Sequence, residues 1–129
     1  MEIHHVPDDA ERYVAALAAE IATTPDEDAC VLCSTVSLLQ RFGCDGSLRW
    51  VRRWRDLRCP RATTLERRME ARGGCCDCEV FANAWSLRRD LLAADDSGRR
   101  RWPDVLPYCA GVDRRSARPC AHWQPRRRW

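Results

Sequence analysis

Lysine is absent from this sequence: all 22 basic residues are arginine. No apolar run approaches the roughly 18 residues of a membrane span, which excludes a spanning helix. The opening stretch MEIHHVPDDAERYV lacks both the basic and the apolar region of a secretory leader, so a cytoplasmic protein is expected. A Gly-rich phosphate loop, His-Glu-x-x-His and Gly-x-Ser-x-Gly are also missing, which removes the commonest nucleotide, zinc-protease and serine-hydrolase signatures. The zinc-deaminase element Pro-Cys-x-x-Cys fails too, because Pro119-Cys120 runs on into Ala121-His122. There is no internal repeat. Arginine without lysine reads mainly as the coding of a GC-rich bacterial genome.

Cysteine, by contrast, is abundant, with nine in 129 residues. Three of them fall within four positions, in the stretch RGGCCDCEV at 72–80. In a reducing cytosol thiols serve more often as metal ligands or reactive groups than as disulfide partners. An odd count would also leave one cysteine unpaired in any full disulfide scheme. The remaining alternatives are metal ligand, nucleophile and small buried hydrophobe.

Charge is unevenly spread. Residues 1–29 carry eight acids against the single base Arg12, while the whole chain has a net charge of +3. At this length one domain is expected, here 1–113 as a helical metal-binding domain with an Arg-rich tail at 114–129. Val14, Leu17 and Ile21, widened by Tyr13 and Ala18, predict a first helix from about Asp8 to Ala22. Thr24-Pro25-Asp26-Glu27 reads as a capping box opening a second helix that runs to Phe42 and stops at Gly43. Its apolar half holds Ala29, Val31, Leu32, Val36, Leu38, Leu39 and Phe42, with Cys33 at the edge and Cys30 beyond it.

Ser47 is the expected cap of a third helix, in which Trp50, Trp54 and Leu57 share one face. A second capping box at Thr63-Thr64-Leu65-Glu66 opens a short fourth helix ending at Gly73-Gly74. Val80, Ala84, Leu87 and Leu91 keep helical period, which predicts a fifth helix from Asp77, its N-cap, to about Ala93. A short strand at 76–82 is the alternative, since Cys76, Cys78, Val80 and Ala82 also alternate. From Asp95 onward Gly, Pro and Arg predict loops. The fold class expected is therefore mainly α: a small single-domain bundle of about five helices, with glycine-flanked cysteine corners and a loop-rich C-terminus.

Two cysteine constellations stand out. In the first, Cys76-x-Cys78 puts two thiols at a helix start, where unpaired N–H groups favour thiolates. Cys44 sits on another glycine-flanked corner and completes a set of three. In the second, Cys30-x-x-Cys33 places two sulfurs on one side of a helical turn. Cys109, Cys120 and His122 supply further donors of the kinds that tetrahedral zinc accepts. Cys75, next to Cys76, is a poor partner for the same ion, and Cys59 in a turn before Pro60 is a bystander. His4 and His5 read as ordinary surface histidines, with a ligand role as the alternative.

The elements GCDGSLR at 43–49 and GGCCDCEV at 73–80 together resemble a small bacterial family known only as a domain of unknown function. Its members share a Cys-Asp-x-Thr-Leu-Arg element and a Gly-Gly-x-Cys-Asp-Cys-Glu-Val element. The positions that match are Cys44, Asp45, Leu48, Arg49, Gly73, Gly74, Cys76, Asp77, Cys78, Glu79 and Val80, with Ser47 for threonine. This chain departs from the family at Gly46, where relatives often have a polar residue or His, and at Cys75, where an aromatic is frequent. The resemblance covers about residues 43–85. It implies a shared site built from Cys44, Cys76 and Cys78, and brings no activity with it.

The function that follows is a small intracellular zinc-binding protein with a mainly structural metal site, iron or an iron–sulfur cluster ranking second. One alternative is a metal-dependent enzyme with an open thiolate-bound metal, using Asp45, Asp77 or Glu79 as acid or base; no catalytic residue is assigned. Another is a nucleic-acid-binding accessory protein. The stretches RWVRRWRDLR at 49–58 and RRSARPCAHWQPRRRW at 114–129 could meet phosphate, bases or an acidic protein. Against this, the pI of 8.5 is below the roughly 9 of dedicated binding domains.

Overall fold

The structure, a computed structural model, describes residues 8–127; His4 and His5 lie outside the described residues. The fold is mainly α. Helices α1 (Asp9–Ala22), α2 (Val31–Phe42), α3 (Arg49–Arg58) and α4 (Leu65–Ala71) precede a single turn, α5 (Asp77–Glu79). That turn widens into a π-helical stretch, Val80–Ala84, closed by the Trp85 N–H on the Val80 carbonyl. Four short strands follow: β1 (Trp85–Leu87), β2 (Ala93–Ala94), β3 (Arg100–Arg101) and β4 (Trp123–Pro125). They form two antiparallel pairs, β1 with β4 and β2 with β3.

The core forms where α2 and α3 pack over α5 and the β1–β4 ribbon. Leu32, Val36, Val51, Trp54, Leu65, Met69, Val80, Leu87 and Trp123 are buried together there. Each buried indole of α3 has an acceptor for its N–H, Trp50 on the Gly43 carbonyl and Trp54 on that of Ala29. Leu57, expected on the same face, is exposed. Phe81, Trp102 and Trp123 form a second aromatic cluster, with ring centroids 5.3–5.7 Å apart.

Several local expectations are overturned by tertiary partners. The fifth helix stops at Ala84, and the run through Leu87 and Leu91 does not continue it. Residues 85–87 instead pair with 123–125 in the register Trp85↔Pro125, Ser86↔Gln124, Leu87↔Trp123. The ribbon is extended by the Arg126 N–H on Ala84 and by two side-chain bonds from Arg126 to the Phe81 carbonyl. Helix two starts at Val31 rather than after Thr24, with Cys30 as its N-cap. The Thr24 hydroxyl turns back to the Glu20 carbonyl. At α4 neither Thr64 nor Glu66 forms a capping bond; Glu66 pairs with Arg55.

Helix α1 starts close to its expected place, capped by Asp8, yet it buries no residue. Arg41 and Arg53 hold its C-terminal end through the carbonyls of Glu20, Ala22 and Thr23. Its apolar stripe faces outward, with Tyr13 66% and Ile21 74% exposed.

Candidate metal centre

The two cysteine constellations become two clusters of sulfur. In the first, the sulfurs of Cys30, Cys33, Cys109 and Cys120 all lie within 4.8 Å of one another. Cys30 and Cys33 come from the start of α2, and the other two from separate loops of the C-terminal segment. Cys33 and Cys120 have their sulfurs 3.7 Å apart. A disulfide would need about 2.05 Å. Two ligands of one tetrahedral zinc, each at about 2.3 Å, sit about 3.8 Å apart. All nine cysteines are free thiols.

Hydrogen-bond donors surround this cluster. Cys30 accepts the Cys33 N–H at 3.4 Å, Cys33 accepts the Trp123 indole N–H at 3.3 Å, and Cys109 accepts the N–H groups of Cys30 and Gly111, each at 3.3 Å. Such donors stabilise negative sulfur and orient it, the usual outer shell of a thiolate-bound metal.

The electrostatics point the same way. Cys30 is lowered to about 5, first by the Cys33 thiol hydrogen bond, against the cost of burial. Cys33 is pushed up by the same bond and by burial, and Cys120 is raised chiefly by burial. One thiolate therefore forms at its neighbours' expense, since like charges at this spacing repel. A cation among them would relieve that repulsion.

His122 is outside this set. Its carbonyl accepts the Arg88 N–H, and its buried Nδ1 has no hydrogen-bond partner. It lines a cavity of about 550 Å³ beside Cys33 and Cys109, together with Asp26, Asp28 and Asp104.

The second cluster joins Cys44, Cys76 and Cys78, again within 4.8 Å, with Cys76 and Cys78 sulfurs 4.0 Å apart. Cys44 opens a tight turn. The Gly46 N–H donates to its sulfur at 3.4 Å, and Asp45 accepts both the N–H and the hydroxyl of Ser47. Gly46 has φ +85°, a left-handed conformation that other residues adopt at a cost. On the opposing corner, a Cβ on Gly74 would sit 3.0 Å from a Val80 methyl and 3.1 Å from the Met69 carbonyl, so this approach needs glycine. Cys44 is lowered, first by the N–H of Cys78. Cys76 is raised, the Glu79 N–H being outweighed by burial and by proton sharing with Cys44. Cys78, which shares a proton with Cys44, is pushed up to about 12.

Asp77, between two of these thiols, does something that sequence reasoning missed. It does not cap its own turn; Cys76 holds the N-cap position there, without a side-chain bond. Asp77 is instead fully buried, and its carboxylate accepts the N–H groups of Trp50 at 2.9 Å and Val51 at 3.3 Å, at the start of α3. Its own N–H donates to the Ser47 carbonyl at 3.0 Å. Ser47, the expected cap of α3, gives its hydroxyl to Asp45 and accepts from Arg52. Burial raises the Asp77 carboxyl, and the two N–H groups oppose this. No local signal marks this role, because capper and helix are 27 residues apart.

Cys75 is exposed outside both sets, and Cys59 is buried with its thiol on the Arg115 carbonyl. Residues 33–83 match a family described as Protein of unknown function (DUF2695), which spans the whole three-thiol corner. No curated protein and no solved structure matches the chain. Both thiol clusters can hold a metal ion. No described helix is long and apolar enough to cross a membrane.

Proposed function

We propose that this is a small cytoplasmic zinc-binding protein whose four-thiol centre is structural. The observation that carries the reading is the convergence of four sulfurs from three segments, with N–H donors aimed at them and no disulfide. A metal there would pin the Cys109 and Cys120 loops to the start of α2. Much of that C-terminal segment has no regular structure of its own. Zinc suits an all-sulfur tetrahedron in a protein that works in a reducing compartment. Iron fits the same donors and would betray itself by colour.

Protein purified without added metal is expected to carry about two zinc ions per chain, one for each thiol cluster. With zinc bound, thiol reagents should titrate Cys75 readily and the four cysteines of the Cys30, Cys33, Cys109 and Cys120 cluster slowly. Metal-free protein with nine freely reactive thiols would defeat the proposal.

A second reading, binding of nucleic acid, is favoured by one cavity. Arg68, Arg72 and Arg118 rim a hollow of about 330 Å³ floored by Leu65, Met69 and Trp85, and Arg72 stacks over the Trp85 ring. Among the described residues none of the three has a carboxylate partner, and the buried Trp85 indole N–H has no acceptor. Unpaired guanidinium groups over an aromatic floor suit a phosphate joined to a base. The double change Arg68→Gln/Arg118→Gln should elute from immobilised single-stranded DNA at lower salt than wild type. Equal elution of the two proteins would dismiss this reading. Arg126 is a poor probe, because its guanidinium braces the Phe81 carbonyl.

A further inference from the structure

The two clusters differ in ways that a common structural role does not explain. The four-thiol set fills a tetrahedron by itself, whereas the second set supplies three sulfurs and no fourth donor among the described residues. Cys30 and Cys120 are buried, while Cys78 is exposed. Cys30, Cys33 and Cys109 each accept an N–H. At the three-thiol corner Cys44 accepts N–H groups from Gly46 and Cys78, and Cys76 one from Glu79, whereas Cys78 has only thiol partners, Cys44 and Cys76.

The corner is also held together without metal. Asp77 ties the loop of Cys76 and Cys78 to the first turn of α3 through Trp50 and Val51, and to the loop of Cys44 through the Ser47 carbonyl. Its three sulfurs are therefore gathered before any ion arrives and stay gathered after one leaves. Preformed, exposed at Cys78 and without a fourth donor among the described residues, the corner suits a site that trades its metal.

We propose that Cys44, Cys76 and Cys78 form an open exchange site for a thiophilic cation, whose fourth ligand comes from solution as water or a small thiolate. The proposal rests on the metal reading above and adds a role for this one corner. On loading, the three thiols each lose a proton and form three metal–sulfur bonds. On transfer, incoming thiolates replace Cys78, then Cys76 and Cys44, one metal–sulfur bond forming as each breaks, and each released cysteine takes up a proton from water. Soft ions that accept three sulfurs, such as cadmium, should enter here ahead of the four-thiol centre.

The test uses the full chain loaded with zinc and challenged with a chromogenic zinc chelator. One equivalent should leave at least about tenfold faster than the other, the scale on which outer-shell donors alter a thiolate site. The far-UV circular dichroism should not change as it leaves. The second equivalent should appear only when a mercurial caps the thiols. Cys78→Ser should abolish the fast equivalent and keep the slow one, and cadmium should replace the fast equivalent first.

Simultaneous release of both equivalents would overturn the exchange site, as would fast release that melts helix. So would loss of the fast equivalent in Cys75→Ser or in His4→Ala/His5→Ala, since a further protein ligand would then close the corner. A chain that holds one ion, lost in Cys120→Ser and kept in Cys78→Ser, overturns the exchange site and leaves the structural zinc standing. A chain that holds none overturns both.

Discussion

Cys120→Ser is expected to lose the zinc of the four-thiol centre and to free the C-terminal segment from α2. Cys120 is buried, and its sulfur lies 3.7 Å from that of Cys33. Structural zinc in small domains contributes on the order of 10–16 kcal/mol. A whole domain of this size is stable by about 5–15 kcal/mol. Loss of a third of the metal term should lower the melting temperature by about 13–21 °C, at roughly 4 °C per kcal/mol. The helical signal should fall only in part, because Cys120 is one of many residues in the core that α2, α3 and α4 share. Limited proteolysis should then cut between residues 99 and 122. Cys59→Ser is the matched control, a buried cysteine outside both clusters, and should keep its zinc. A Cys120→Ser protein that melts like wild type would exclude a structural metal there.

The second large effect is expected at Asp77. Replacement by alanine removes the acceptor for the N–H groups of Trp50 and Val51, both at the buried start of α3. A lost helix cap together with a buried N–H left unpaired amounts to about 3 kcal/mol. Urea unfolding should report that loss, and hydrogen exchange should show the Trp50 and Val51 amides opening first. Asp77→Asn keeps one oxygen acceptor and should cost roughly half as much. If Asp77→Ala were within about 0.5 kcal/mol of wild type, as surface changes are, the capping role would be wrong.

Helix formation was legible wherever apolar period and chain punctuation agreed. The first four helices fall close to their expected places because Gly43 and the pair Gly73-Gly74 stop two of them. Helix starts were harder to read. Thr24, Ser47 and Thr63 offer plausible cap chemistry, but Cys30, Leu48 and Thr64 hold the cap positions. A cap motif specifies a local option, and burial decides whether the chain takes it. The run from Val80 to Leu91 shows the same limit more sharply. Its period is helical, but β4 offers Trp85–Leu87 a ribbon partner about 38 residues away, and that partner is invisible to any local window. The outward face of α1 was equally illegible, since a moment along a helix does not say whether anything packs against it.

At the site, close spacing was the informative part. Cys30-x-x-Cys33 and Cys76-x-Cys78 mark crowded sulfur because each pair shares one turn of chain. Which distant thiols join Cys30 and Cys33 depends on how residues 100–127 fold back, and spacing carries no trace of that.

The four-thiol centre has a consequence for the order in which the protein can be made. Cys33 meets Cys120 across 87 residues and Trp123 across 90, while the bond from Asp77 to α3 spans only 27. Closing the longer loops is slower and more costly in entropy. At a ribosome adding about 5–20 residues per second, the three-thiol corner can assemble several seconds before Cys120 has been synthesised. Through that interval Cys30 and Cys33 are an exposed dithiol with half a coordination sphere, open to the wrong ion or to an oxidant. On the proposed metal reading, vectorial synthesis fills the four-thiol centre only once Cys120 has emerged.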